Sequence, residues 1–270
     1  MRILASAVLL SLVPLTPALA HARATTSAPA DAQLRALYEE EWAWRQKEFA
    51  RVAEDDSWSA SGDHLPHVDA ATQQRRLATW QGIQARLSRI PVQQLSPEER
   101  INAAVFRTTL EANIANQQFR SWEMPFNADS NFWSGLAARQ PYARAEQYRR
   151  YLGRMRDVPR YFDEQIANMR AGLKRGFSVP RVTLAGRDTS IAANAVADAA
   201  RNPFYAAFEK MPASIPEAEQ ARLREEARGV IGNQVAPAYD RLLRFFRTEY
   251  LPHTRTTRAA EAMPEGTAFY

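Results

Sequence analysis

Residues 63–69 read Asp63-His64-Leu65-Pro66-His67-Val68-Asp69, two imidazoles and two carboxylates within seven positions. That donor set is chemically able to hold a divalent cation such as zinc. The spacing argues against it. Leu65-Pro66 between the histidines makes a turn, so the fixed i, i+4 geometry of a helical histidine pair is missing. A polar loop between two helices accounts for the same residues, and no metal ligand is assigned here.

Other reactive constellations are weaker still. His21 falls near the start of the chain and His253 follows a long helical pattern, and neither has a glutamate beside it. With four histidines, no cysteine and no HExxH, the usual ligand set of a catalytic zinc centre is absent from the sequence. No GxSxG elbow supports a serine hydrolase, and no GxGxxG or GxxxxGK[ST] loop offers a phosphate cradle. The acid runs Glu39-Glu40-Glu41, Asp55-Asp56 and Glu225-Glu226 read as solvated helix faces or helix ends. No catalytic residue is assigned.

The elements that would position such residues read as helical. In residues 31–54, Leu34, Leu37, Tyr38, Trp42, Phe49 and Val52 recur at mostly three- and four-residue spacings, which predicts an amphipathic helix. Asp69 is placed to cap a second helix carrying Leu77, Trp80, Ile83 and Leu87. Ser96-Pro97-Glu98-Glu99 predicts a third start, with Ser96 as cap, Pro97 at the first helical position and Glu99 reaching back to close a capping box. A helix over about 97–121 then enters a long ordered loop, 122–143, carrying Phe126, Phe132 and Trp133. Helical patterning resumes at Ala143 and restarts at Pro159, with Gly176 as a left-handed cap. A short extended piece at 179–184, an alanine-rich helix over 188–200 and a long helix from Pro216, kinked near Pro237, complete an all-α chain.

Composition narrows the setting. Arg2, an apolar run over 3–13 and the small residues Ala18-Leu19-Ala20 predict a signal peptide over 1–20, cleaved after Ala20 or Ala22, with 21–30 as linker and 31–270 as the helical domain. The expected location is periplasmic or secreted. The apolar run is too short to span a membrane, and no later stretch is long and apolar enough to do so. The net charge of +5 comes from 32 arginines and three lysines dispersed among 30 acids, without the basic stripe of a nucleic-acid surface. Long amphipathic helices with an uncovered apolar face would favour self-association.

Several stretches carry a family likeness in order: Trp122 to Asn127 (WEMPFN), the 147–176 run QYRRYLGRMRDVPRYFDEQIANMRAGLKRG, NPFYAAFEKMPASIP at 202–216, VAPAYDRLLRFFRTEYLPHTR at 235–255 and MPEGTAFY at 263–270. Together they resemble the N-terminal half of the bacterial domain-of-unknown-function 885 family, exported helical proteins similar to zinc metallopeptidases. The resemblance implies a zinc cofactor, a peptide substrate and an HExxPGH-type motif in the full-length family, all carried by sequence beyond the MPEGTAFY-like segment. It assigns no cofactor to these 270 residues and expects the fragment to be inactive alone, a scaffold and cleft wall. Arg255 and Tyr270 match recurring positions near the transition to the catalytic half, which makes them substrate-cleft candidates. Pro264-Glu265-Gly266 is a turn leading into Phe269 and Tyr270, two aromatics without an evident packing partner, and the reading expects a continuation there. The alternatives are a non-enzymatic exported helical binding module and the product of a decaying gene.

Overall fold

The computed structural model describes residues 29–54, 57–127 and 129–269. The signal peptide expected over 1–20, residues 21–28 of the expected 21–30 linker with His21 among them, Asp55-Asp56 and Tyr270 therefore lie outside the described residues, while Pro29 and Ala30, expected to end that linker, open the first helix because Ala30 is buried in its apolar cluster. The fold is all-α, with one two-stranded hairpin among the described residues.

Helix α1 (Pro29–Glu48) ends earlier than its apolar period suggests. Ala50 turns into the left-handed region at φ 52°, and Gly62 donates its N–H to the Ala50 carbonyl at 2.7 Å. The chain reverses there into β1 (Arg51–Glu54) and β2 (Ser57–Ser61), antiparallel with Val52 opposite Ala60. Val52 is thus a strand residue, and Trp42, expected in the core, is 39% exposed.

Asp69 caps α2 (Ala70–Leu87), accepting from the Thr72 N–H at 3.0 Å and the Thr72 hydroxyl at 2.7 Å. Ser96 caps α3 (Pro97–Gln118) as the sequence indicates. The reciprocal bond comes from elsewhere: the Ser96 N–H donates to Asp31 of α1 at 2.9 Å, while Glu99 is buried and takes Arg35 Nε at 2.6 Å. A carboxylate that a local capping box would use is diverted to tie α3 to α1. Leu34, Leu37, Trp80, Ile83, Leu87, Leu110 and Ile114 form the apolar cluster of these three helices.

A second, larger cluster surrounds α4 (Ala145–Lys174). Two helices were expected across Pro159; the structure has one of 30 residues, about 45 Å long. Tyr148, Tyr151, Leu152, Met155, Val158, Phe162, Ile166 and Met169 continue one buried stripe straight through the proline. Breaking that stripe would forfeit roughly 1.5–3 kcal/mol per buried side chain, against about 3 kcal/mol for a helix-interior proline. Gly176, at φ 76°, caps the helix end.

The 119–144 segment folds onto this core through the stripe's own hydroxyls. Tyr151 accepts from the Ala138 N–H at 3.0 Å and donates to the Phe204 carbonyl at 3.2 Å. Tyr148 accepts from the Tyr142 N–H at 3.1 Å and donates to the Ala207 carbonyl at 3.0 Å. Phe126 and Trp133 are buried, stacked edge-on at 5.1 Å.

Residues 181–184 form a 3₁₀ turn instead of the extended piece expected, and the alanine-rich region holds only a short α5 (Arg187–Ala192) before a 3₁₀ turn at 199–201. After α6 (Ala206–Glu209), a helical rod runs through α7 (Glu217–Val230), α8 (Ala236–Phe245) and α9 (Leu251–His253). Its junctions are π-turns at 231–235 and 246–250. In each, the residue just before a proline bonds five positions back: the Ala236 N–H to the Ile231 carbonyl, before Pro237, and the Leu251 N–H to the Phe246 carbonyl, before Pro252. One extra residue per turn absorbs the proline that cannot donate. The last helix, α10 (Gly266–Phe269), brings Phe269 edge-on to Phe119 and Phe177, both at 5.5 Å. Phe269 therefore has packing partners within the chain.

Candidate functional site

The histidine-bearing segment 62–68 runs along α4, and successive turns of that helix hold its backbone. Arg154 donates to the Gly62 carbonyl at 2.5 Å. Asp157 accepts from the Leu65 N–H at 2.8 Å, and Arg160 donates to the Leu65 carbonyl at 2.7 Å. Glu164 accepts from the Val68 N–H at 2.7 Å, and Asn168 donates to the Val68 carbonyl at 2.7 Å. Gly153 completes the ladder, since a Cβ there would collide with the Asp63 carbonyl oxygen. From the other side, buried Arg76 of α2 donates to the His67 carbonyl at 2.8 Å while pairing with Glu48 and lying over the Phe49 ring.

Burial alone would raise the Asp157 carboxyl, but two hydrogen bonds from Arg160 and one from the Leu65 N–H outweigh it and hold Asp157 below the ordinary carboxylate range. Asp63 is likewise lowered, chiefly by its 2.8 Å hydrogen bond to His64 Nδ1.

Folding does bring metal-capable atoms together, though not the four that the sequence juxtaposes. His67, Asp69 and Glu164 offer ligand atoms within 4.8 Å of one another, while His64 turns to Asp63. These three do not fit zinc. Arg160 Nη1 sits 2.7 Å from Glu164 Oε1 and 3.0 Å from His67 Nδ1, putting a guanidinium where a cation would lie. Glu164 Oε2 is taken by the Val68 N–H, and both Asp69 oxygens serve Thr72.

The other sequence candidates are structurally engaged. Arg255 donates through Nε to the Ser178 carbonyl at 2.7 Å and through Nη1 to the carbonyls of Thr257 and Ala259, each at 2.8 Å. His253 Nδ1 lies 2.7 Å from the Glu249 carbonyl. Among the acid runs, Glu41 is buried and accepts from Trp80 Nε1 at 3.2 Å, correcting its reading as a solvated face. Glu40 forms a two-point pair with Arg86, and Glu225 and Glu226 pair with Arg228 and Arg156.

Beside the ladder, segment 62–68, the hairpin, α4 and the 135–142 loop enclose a cavity of about 340 Å³. Leu65, Met155, Val158 and Phe204 give it apolar walls, and Arg154 and Tyr142 give it a polar side. Sequence reasoning missed both ladder and cavity. The alternation of charged residues at 154, 157, 160 and 164 with the apolar stripe was the available signal, but it reads equally as a solvated helix face.

A long two-cluster helical fold with an extended segment strapped to its central helix is thus the class of structure present. The chain belongs to the DUF885 family, described as a bacterial protein of unknown function, which matches over residues 51–270. Among solved structures it is similar in fold to that of a presumed lipoprotein from Colwellia psychrerythraea, at 16% identity and a TM-score of 0.71. The likeness covers 90% of this chain and 45% of the other, so this chain spans less than half the length of that relative. No curated protein matches the sequence. Among the described residues no helix is long and apolar enough to cross a membrane.

Proposed function

We propose that this chain is the helical scaffold and one cleft wall of an exported, zinc-metallopeptidase-like protein whose catalytic half lies in further sequence. The observation that carries the reading is the unequal coverage: nearly all of this chain aligns with less than half of a longer relative of the same fold. Family membership supports it, and so does the chemistry of the nearest metal-capable trio, whose donors already serve Arg160, Val68 and Thr72. Zinc, where the full-length form binds it, would be held by residues outside these 270. Peptides are the substrate class in that form, and Arg255 and Tyr270 border the junction with the catalytic half. Export to the periplasm or beyond follows from the N-terminal signal-like sequence and accords with the lipoprotein description of the structural relative.

The test is to read the gene past codon 270. An in-frame HExxPGH motif is the expected result. A stop codon with no such motif downstream in any frame would contradict the reading and favour a non-enzymatic binding module. One observation favours that second reading on its own: the outward face of α3 leaves Ile101 66% and Val105 63% exposed one turn apart.

A further inference from the structure

The cavity beside the α4 ladder is lined without a single described Asp or Glu, yet it carries Arg154, Arg51 and His64. Among these, Arg154 is the informative group. It is half-buried, and its guanidinium is held at both terminal nitrogens: Nη1 donates to the carbonyls of Gly62 and Ser61, at 2.5 and 3.3 Å, and Nη2 donates to the Tyr142 hydroxyl at 3.0 Å. A guanidinium has five N–H groups, so the Nε–H and one Nη2–H have no partner among the described residues. In this same chain Arg170 meets Glu249, and Arg247 meets Asp188, through Nε and Nη2 at 2.7–2.9 Å. The unpartnered N–H groups of Arg154 on those same two nitrogens suit an incoming carboxylate.

Around this anchored cation the walls are apolar, from Leu65, Met155, Val158 and Phe204, with the Tyr161 ring beside them. A volume of about 340 Å³ is at the lower end for ligand pockets and suits a molecule of amino-acid-derivative size. Asp63, the neighbouring acid, is engaged by His64 at 2.8 Å.

We propose that this cavity is a binding site for a small amphiphilic carboxylate, its anion held by the unpartnered N–H groups of Arg154 and its aromatic or aliphatic body against Leu65, Met155, Val158 and Phe204. The proposal concerns binding by this chain alone and does not depend on the peptidase-like reading.

The experiment is calorimetric titration of the purified chain with N-acetyl-L-phenylalanine and, in parallel, with N-acetyl-L-phenylalaninamide, which keeps the body and removes the charge. The acid is expected to bind about tenfold or more tighter than the amide, the margin of a charge-assisted hydrogen-bonded pair, and to weaken as salt is added. Arg154→Met should abolish the preference for the acid. Because Arg154 also secures Gly62, a second variant leaves it in place: Gly135 lines the cavity and a Cβ added there meets nothing within 4 Å, so Gly135→Phe should place its ring in the cavity and abolish binding without loss of helical content. Equal affinity for acid and amide, no binding of either probe at millimolar concentration, or binding that survives Gly135→Phe would each overturn the proposal.

Discussion

A single methyl group at position 153 probes how closely the 62–68 backbone lies on α4. Gly153→Ala drives a Cβ into the Asp63 carbonyl, a backbone atom that cannot swing aside. A loss of about 1–3 kcal/mol is expected, the range for overpacking a close contact, read as a lower midpoint in urea unfolding at unchanged slope. Gly135→Ala, with open space around its Cβ, serves as the control and should be near neutral. Asp157 makes a second residue-scale prediction through its depressed pKa. A carboxyl held below its unfolded value of about 3.9 contributes stability above that pH and loses it as pH falls through the folded value. Asp157→Asn should therefore cost about 1.5–3 kcal/mol at pH 7. The gap between variant and parent should narrow as melting is followed from pH 6 to pH 3; a gap constant with pH would mean that the carboxylate charge contributes nothing.

The elements show which signals are local and which are not. Asp69 and Ser96 announce their helices because a cap needs only the next three residues. The hairpin at 51–61 was hidden because Phe49 and Val52 keep a helical spacing up to the reversal, and the left-handed residue that ends α1 is an alanine, not the glycine that would signal a stop. Pro159 misled in the opposite sense, since a break is a local cue and the buried stripe that overrides it depends on partners far along the chain. The ladder on α4 joins residues 92 to 100 positions apart, so no window of sequence contains it. Arg255 belongs to this scale too, because it ties the segment after α9 to Ser178 and closes the 255–259 turn. Arg255→Met is expected to speed proteolysis within residues 255–262 while leaving most of the thermal transition intact. Unchanged cleavage would mean that the arginine is not what secures the segment.

At the scale of the molecule, segment 62–68 is the polar link between the two clusters: Arg76 of α2, paired with Glu48, donates to the His67 carbonyl, while Arg160, Asp157 and Glu164 of α4 hold Leu65 and Val68. The sequence made the helical class and the family legible, because amphipathic period and ordered short motifs survive without coordinates. It did not reveal the cavity at Arg154, which exists only where the hairpin, segment 62–68, the 135–142 loop, α4 and Phe204 converge. The central proposal is that these 270 residues form a wall and scaffold for a hydrolytic centre supplied by further sequence. Its most direct test is one assay on the purified chain, supplied with zinc and freed of excess, that measures bound metal and oligopeptide turnover together. The account expects metal well below one equivalent and no turnover sensitive to a chelator. Stoichiometric zinc with peptide cleavage that stops on chelation, above all if both are lost in His67→Ala, would contradict it.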